Sequence, residues 1–517
     1  MNRNEMILRM KEEDIWDIVV IGGGATGLGS ALDAASRGYK TLLIEKYDFA
    51  KGTSGRSTKL VHGGVRYLQQ GNIKLVIEAL KERGRLIKNA PHLTKEQAFV
   101  LPIYNHFQKW YYGFGLMLYD YLSGKLSLGK TKILSKKKTM KALPALHPKK
   151  LAGGILYYDG QFDDARLAVD MAFAAAGQGA VILNYAAATG FVKEDGKITG
   201  VQFLDTIHSI AYTVKARAVI NATGVFTDEM LQLDSAGQPS IILPSQGVHL
   251  VVDKKFFPGS NALIIPKTDD ARVLFAVPWK DKVILGTTDT MVNDINIEPR
   301  AFKEEIAFIM HHFNRYCTTN ISEKDILSVF AGLRPLLKTK KNKNSGEVSR
   351  DHTLLVSKSN LVTITGGKWT TYRKMAEDAV NNALFVGKLE KKDCITEQLP
   401  IEALSALVSA DDPLFIYGKK ADSIIALMKE DEKMKEKIHP GYPYTKAEII
   451  WMTRNEMPQT VEDILARRIR LLLLDAHAAM ECCEPVAQLM QAELHKDEEW
   501  KNNQVMAFKN LAQQYLV

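Results

Sequence analysis

Hydrophobic and polar positions along the chain fall into three successive regimes. Residues 15–21 (IWDIVVI) form a short β-rich apolar run, followed by glycines and then by ATGLGSALDAASRG, where small and apolar residues recur at helical spacing. A second run, KTLLIE at 40–45, completes a strand–helix–strand unit of the kind that builds a parallel sheet. Strand-like runs at 181–183, 218–221 (AVIN) and 361–365 (LVTIT) are each followed by small residues, so three distant segments are expected to return to that one sheet. Residues 230–330 read differently. There GVHLVVD, ALIIP, RVLFAVPW and KVILGTTD succeed one another as short strands, the pattern of an antiparallel sheet covering a substrate. From about 396 the spacing turns helical, and Thr460 with Asp463 three positions on gives a capping-box-like start to VEDILARRIRLLLLDAHAAMEC.

The first strand-to-helix junction carries chemistry. Gly22, Gly24 and Gly27 make G-x-G-x-x-G there, and Glu45 ends the next strand. Glycines permit a tight turn and close backbone approach, the helix N-terminus with Ala25 and Thr26 attracts a pyrophosphate, and the carboxylate accepts from a ribose hydroxyl. This fingerprint serves FAD and NAD alike. Three other segments favour the flavin: the polar glycine-rich loop GTSGRSTKLVHGG (52–64), the strand end Ala222-Thr223-Gly224, and the helix start GGKWTTYRKMAEDAVNNAL (366–384). The last would aim a partly positive helix end and Lys368 at a flavin that gains negative charge on reduction.

The expected fold is therefore α/β, a Rossmann-type FAD-binding domain with an inserted, mainly antiparallel β substrate domain and a C-terminal helical domain. FAD-binding parts are expected at 14–100, 151–228 and 331–395, an aromatic and basic segment at 101–150, the substrate sheet at 229–330 and helices at 396–517.

Composition narrows the function classes. At 46% hydrophobic and 25% charged residues the chain is an ordinary globular protein, and its opening residues lack the apolar stretch of a secretory signal. No apolar run is long enough to span a bilayer. Four cysteines without C-x-x-C spacing read as reduced thiols, and no metal site is expected. The net charge of +9 is concentrated: residues 121–158 hold nine lysines and no acidic residue, directly after seven aromatics between Phe107 and Tyr121. No RNA-binding motif accompanies the lysines, so a nucleic-acid partner is not expected. An anionic membrane surface suits aromatics followed by lysines, although a buried aromatic helix and a solvated basic loop would give the same string.

Arg66, Arg334 and Arg350, with His249 and Lys368, are candidates for holding an anionic substrate, because the planar guanidinium matches phosphate. Their residue types alone suit solvated arginines and a core histidine equally well. The segments SGRSTKLVHGGVRYLQ (54–69), YYDGQFDDARL (157–167), AGLRPLL (331–337), SRDHTL (349–354) and GGKWTTYRKMAE (366–377), in that order after GGGATGLG, decide between them. Together they resemble the flavin-dependent glycerol-3-phosphate dehydrogenases over residues from about 14 to 380.

The resemblance implies FAD contacts from Gly22, Gly24, Ala25, Thr26, Gly27, Glu45, Lys46, Thr53, Ser54, Ser57, Lys59, Leu60, Gly64, Ala188, Gly224, Gly332, Gly367, Lys368, Trp369 and Thr370. It implies a substrate site of Arg66, Tyr67, Arg350 and Thr370, with His249, Arg334 and Lys368 as the catalytic groups. The implied reaction passes the C2 hydride of glycerol 3-phosphate to the flavin and its hydroxyl proton to His249 or a neighbouring basic group, giving dihydroxyacetone phosphate. The implied setting is cytoplasmic, peripheral on the inner face of the membrane, with a membrane quinone as acceptor and a homodimer as the form of any self-association. An oxidase delivering the electrons to oxygen is the alternative. Gly55 stands where the family more commonly has serine, and the EF-hand loops of mitochondrial members have no counterpart.

One outcome follows from the glycine turn. Gly24→Val should abolish flavin retention by placing a side chain in the path of the pyrophosphate; a variant that purifies with full yellow colour contradicts that assignment.

Overall fold

A computed structural model describes residues 1–64, 72–269, 272–338 and 352–517. Two sheets and a helical C-terminal region make up the fold. In the first sheet Trp16–Ile21 lies between Thr41–Ile44 and Ile210–Asn221, with Val181–Leu183 and Leu361–Gly366 outside them, all parallel. The expected return of three distant segments to one parallel sheet is borne out. Ile18, Val19 and Val20 are fully buried, as continuous apolar runs must be when helices cover both faces. The covering helices include Ala25–Ser36, Asp164–Gly177 and Tyr372–Val386. His352–Val356 closes one edge antiparallel, and Ala186–Glu194 with Lys197–Asp205 forms an antiparallel meander on the extended Ile210–Asn221 strand.

The second sheet is larger than the pattern at 230–330 implied. Its centre is Ile242–Asp253, paired antiparallel with Ile326–Leu337 on one side and Lys282–Gly286 on the other. The order continues through Leu274–Trp279 and Ala262–Ile265 to Thr94–Ile103 and Gly153–Phe162. Two of the expected boundaries thus move. The substrate sheet draws strands from both sides of the 101–150 segment, and position 331 falls inside a strand of this sheet. Thr94–Ile103 pairs along its whole length with Gly153–Phe162, and this long-range register was not visible in local spacing.

The C-terminal helices pack on the back of the second sheet, where Val251, Trp279, Ile284 and Phe330 join their apolar core. Thr460 and Asp463 form the expected reciprocal cap, Thr460 N–H donating to the Asp463 carboxylate at 3.0 Å and Asp463 N–H to the Thr460 hydroxyl at 3.2 Å. The run after it is not one helix. Arg470 takes a left-handed conformation and Asp475 an extended one, dividing it into Asp463–Arg468, Leu471–Leu474 and Ala476–Glu493.

Buried ion pairs precede this break. Arg468 donates to Asp48 at 2.9 Å, Arg467 pairs with Asp48, Glu462 and Asp463, and Arg166 pairs with Glu456 at 2.9 Å and Asp170 at 2.8 Å. These contacts weld the C-terminal region to the FAD-binding part. Burial opposes ionisation of Asp170 and Glu462, but Arg166 beside the first, and Arg467 beside the second, outweigh it and hold both carboxyls well below their ordinary range.

Groups with depressed folded pKa values stabilise the fold above their unfolded pKa and lose that contribution as pH falls toward the folded value. The melting temperature should therefore fall as pH drops from about 5 through the range near 4 where free carboxyls titrate. Asp170→Asn should melt lower at neutral pH, since breaking a buried pair costs about 3–5 kcal/mol, and should show a flatter acid limb. An unchanged melting temperature at pH 7 contradicts this account.

Candidate active site

The nucleotide end of the site is built by the glycine turn. Gly22 has φ +115°, and a Cβ there would lie 2.6 Å from the Ala222 carbonyl oxygen; one on Gly27 would lie 1.8 Å from the Gly22 oxygen. Neither position admits another residue. A Cβ on Gly24 would meet nothing closer than the Ser54 hydroxyl at 3.0 Å, so this glycine leaves room above the start of the Ala25–Ser36 helix, with Thr26 in its first turn. Gly24 caps that helix without a side chain, and Ala25 N–H donates to Ser54 at 2.9 Å.

The Glu45 carboxylate accepts from the backbone N–H groups of Gly23 and Tyr47, while its carbonyl takes Ala186 N–H at 2.7 Å, bringing the strand that holds Ala188 alongside. Lys46 is exposed, with its ammonium over the Tyr47 ring. Gly224 (φ +60°) begins the turn after Ile210–Asn221. A helix N-terminus left bare by Gly24 and an acid at the next strand end, bonded to Gly23 N–H of the same turn, fit a dinucleotide.

The other end is a cavity of about 940 Å³. Its walls include Thr53, Ser57, Leu60, Gly64, His249, Gly332, Arg334, Gly367, Lys368, Trp369 and Thr370, which brings eleven sequence-proposed residues from four segments into one place. The 52–64 loop and residues 366–371 are tied together. Trp369 Nε1 donates to the Ser54 carbonyl at 2.9 Å, and His62 N–H donates to the Thr370 hydroxyl at 3.1 Å. Arg66, Tyr67 and Arg350 lie outside the described residues.

Arg334 reaches the cavity from the Ile326–Leu337 strand because Gly247 leaves space; a Cβ there would lie 2.3 Å from its guanidinium. It donates to the Thr287 hydroxyl and the Thr288 carbonyl, both at 3.1 Å, and pairs with Asp289 at 3.4 Å. His249 is buried, its ring stacked on Phe330 at 4.8 Å, and Nε2 lies 2.8 Å from the Thr58 hydroxyl. Burial first, then the nearby cations Lys59 and Arg334, push its pKa well below the ordinary histidine value, so the imidazole is neutral at physiological pH. A neutral imidazole has a lone pair to offer as a base.

Lys59 is placed differently from the sequence expectation of a cofactor contact. Its side chain is fully buried, and its ammonium bonds to Asp164 at 2.7 Å and to the Gly55 carbonyl at 2.9 Å. It holds the loop from behind and does not line the cavity. Asp164 also accepts from Ser57 N–H at 3.0 Å, the Ser57 hydroxyl at 2.7 Å and Arg470 at 2.8 Å. At Gly55 a Cβ would lie 2.5 Å from the Ala50 carbonyl oxygen, so the loop as folded here admits no side chain at that position.

Sequence reasoning missed four residues. Thr58 bonds His249, Asp289 pairs with Arg334, and Arg56, on the cavity wall, pairs with Glu298 at 2.6 Å. Asp164 is the fourth, and the FDDARL string was its signal. Among the described residues one group of metal-ligand types, Asp269 with His311 and His312, lies together; Arg315 already pairs that carboxylate at 2.9 Å.

Comparison with known proteins agrees with this geometry. The family model for FAD dependent oxidoreductases matches residues 17–373, and that for the C-terminal domain of alpha-glycerophosphate oxidase matches 359–501. The mitochondrial glycerol-3-phosphate dehydrogenase of Mesocricetus auratus is 38% identical over 95% of this chain and 72% of its own length; that of Homo sapiens is 37% identical over 98% and 74%. The solved structure of the glycerol-3-phosphate dehydrogenase from Bacillus halodurans, complexed with FAD, superposes with a TM-score of 0.82 at 29% identity, covering 99% of this chain and 97% of that one. An L-alpha-glycerophosphate oxidase from Mycoplasma pneumoniae shares the fold, with a TM-score of 0.56 at 16% identity over 74% of this chain and 98% of its own. The chain belongs to the FAD-dependent glycerol-3-phosphate dehydrogenase family.

Proposed function

We propose that the chain oxidises sn-glycerol 3-phosphate to dihydroxyacetone phosphate, and that the electrons leave to a quinone in a membrane on whose inner face the protein sits. The carrying observation is that one cavity is lined by two chemically distinct sets of side chains. His249, Arg334, Lys368 and Thr370 suit a small phosphorylated alcohol. Phe99, Leu101, Tyr111, Phe114 and Phe275 suit an apolar ring.

FAD, held by the glycine turn, Glu45 and the 52–64 loop, supplies the two-electron acceptor when bound. Arg334, with Arg66, Tyr67 and Arg350 as further proposed contacts, holds the phosphate. Lys368 and Thr370 border the reacting end, and neutral His249 accepts the hydroxyl proton.

The membrane reading is supported by the His106–Ser123 helix. Phe107, Trp110, Phe114 and Tyr121 on it are each more than 70% exposed, and Tyr111 and Phe114 also line the cavity. Lys136, Lys137 and Lys138 stand exposed just beyond. Aromatic side chains settle at the headgroup boundary, and each nearby lysine adds up to about 1 kcal/mol toward anionic lipid. No helix of the described residues is long and apolar enough to cross a membrane.

Three outcomes follow. Arg334→Ala should lower kcat/KM for glycerol 3-phosphate roughly 30- to several-thousand-fold, corresponding to about 2–5 kcal/mol for one partner of a buried charge contact; unchanged kinetics remove Arg334 from the site. Turnover with a soluble quinone analogue should far exceed turnover with oxygen, whereas peroxide formation at an equal rate identifies an oxidase. The protein should co-sediment with anionic vesicles, less so with added salt or with Lys136, Lys137 and Lys138 changed to Glu; no co-sedimentation at low salt contradicts membrane attachment.

A further inference from the structure

His249 meets the cavity by a restricted route. Its strand lies between Phe330 and Gly286 in register, and its ring is wedged there: Phe330 stacks at 4.8 Å with 18° between planes, and a Cβ on Gly286 would lie 2.5 Å from the ring's Cδ2. The ring cannot turn over without displacing one of them. Its Nδ1 is sealed from solvent and has no hydrogen-bond partner among the described residues. Its Nε2 lies 2.8 Å from the Thr58 hydroxyl, which donates to it in the tautomer that carries its proton on Nδ1. Thr58 is only half-buried and lines the cavity.

The geometry points to Thr58 as the proton relay of the reaction, its hydroxyl receiving the proton of the substrate alcohol while passing its own to Nε2 of His249. This inference rests on the proposed oxidation of a secondary alcohol. The step balances: the substrate O–H bond breaks toward Thr58 Oγ1, the Thr58 O–H bond breaks toward Nε2, and the carbonyl forms as the C2–H electron pair leaves with its hydrogen to FAD. Thr58 ends unchanged and His249 ends as imidazolium.

The surroundings explain why a relay serves better than direct contact. Among the described residues, Lys59 from the same loop and Arg334 from the neighbouring strand are the charged groups facing the imidazole; Asp289 is drawn to Arg334, and Phe330 and Gly286 bring no charge. The imidazole is thereby kept neutral before the reaction, and a hydroxyl between it and the substrate carries the proton without admitting a third charged side chain. The threonine is itself fixed, because Ser57 before it and Lys59 after it are both bound to Asp164.

The test is stopped-flow reduction of the bound flavin by glycerol 3-phosphate under anaerobic conditions across pH, in wild type, Thr58→Val and Thr58→Ser. Valine keeps the shape and removes the hydroxyl. Thr58→Val should retain FAD and its melting temperature, slow reduction about 10²-fold or more, and lose the pH dependence of the wild type. Thr58→Ser should restore both rate and profile. Wild-type rate and profile in Thr58→Val overturn the relay alone, as does a slow Thr58→Val whose pH profile is unchanged or which serine fails to rescue. A wild-type flavin that the substrate leaves oxidised overturns the functional reading and the relay with it.

Discussion

The Asp164 carboxylate receives the backbone N–H and hydroxyl of Ser57, the ammonium of Lys59 and a guanidinium nitrogen of Arg470. These groups come from the 52–64 loop and the C-terminal region, and Asp164 itself begins a helix of the FAD-binding part. One buried carboxylate thus joins two segments of the FAD-binding part to the C-terminal region. Two cations beside it, and the Gly55 carbonyl shared by Lys59 and Arg470, satisfy charges that would otherwise be costly in the interior. The loop it fixes presents Thr58 to His249 and Ser54 to both Ala25 and Trp369. Substrate end and nucleotide end are therefore set by the same anchor.

Much of this was legible in the chain. The glycine spacing with Glu45 identified the nucleotide turn, since close backbone approach at Gly22 and Gly27 excludes any side chain. Parallel strands of the first sheet were legible because burial on both faces leaves an uninterrupted apolar run. Pairing of Thr94–Ile103 with Gly153–Phe162 was not, because the partners are far apart in sequence and each is consistent with either sheet. The C-terminal helix was read as continuous because helical spacing reports apolar positions and is blind to arginines 467, 468 and 470 being drawn inward by buried acids. Lys59 reads from its polar loop as a ligand contact, and nothing in local spacing shows that its ammonium is bound to the buried Asp164. Thr58 and Asp289 carry no local signal, being small polar residues whose partners lie on other strands.

On the proposed reading, the polar side chains His249, Arg334 and Lys368 would take the phosphorylated, water-soluble donor, and the aromatic lining, which continues to the exposed face of the His106–Ser123 helix, would take the apolar acceptor in the same chamber. The most direct measurement of the central claim is an anaerobic titration of the purified holoprotein with sn-glycerol 3-phosphate, following the visible absorbance of the flavin. The account predicts stoichiometric bleaching with dihydroxyacetone phosphate as product; a flavin that stays oxidised in excess substrate, yet is reduced by dithionite, would contradict it.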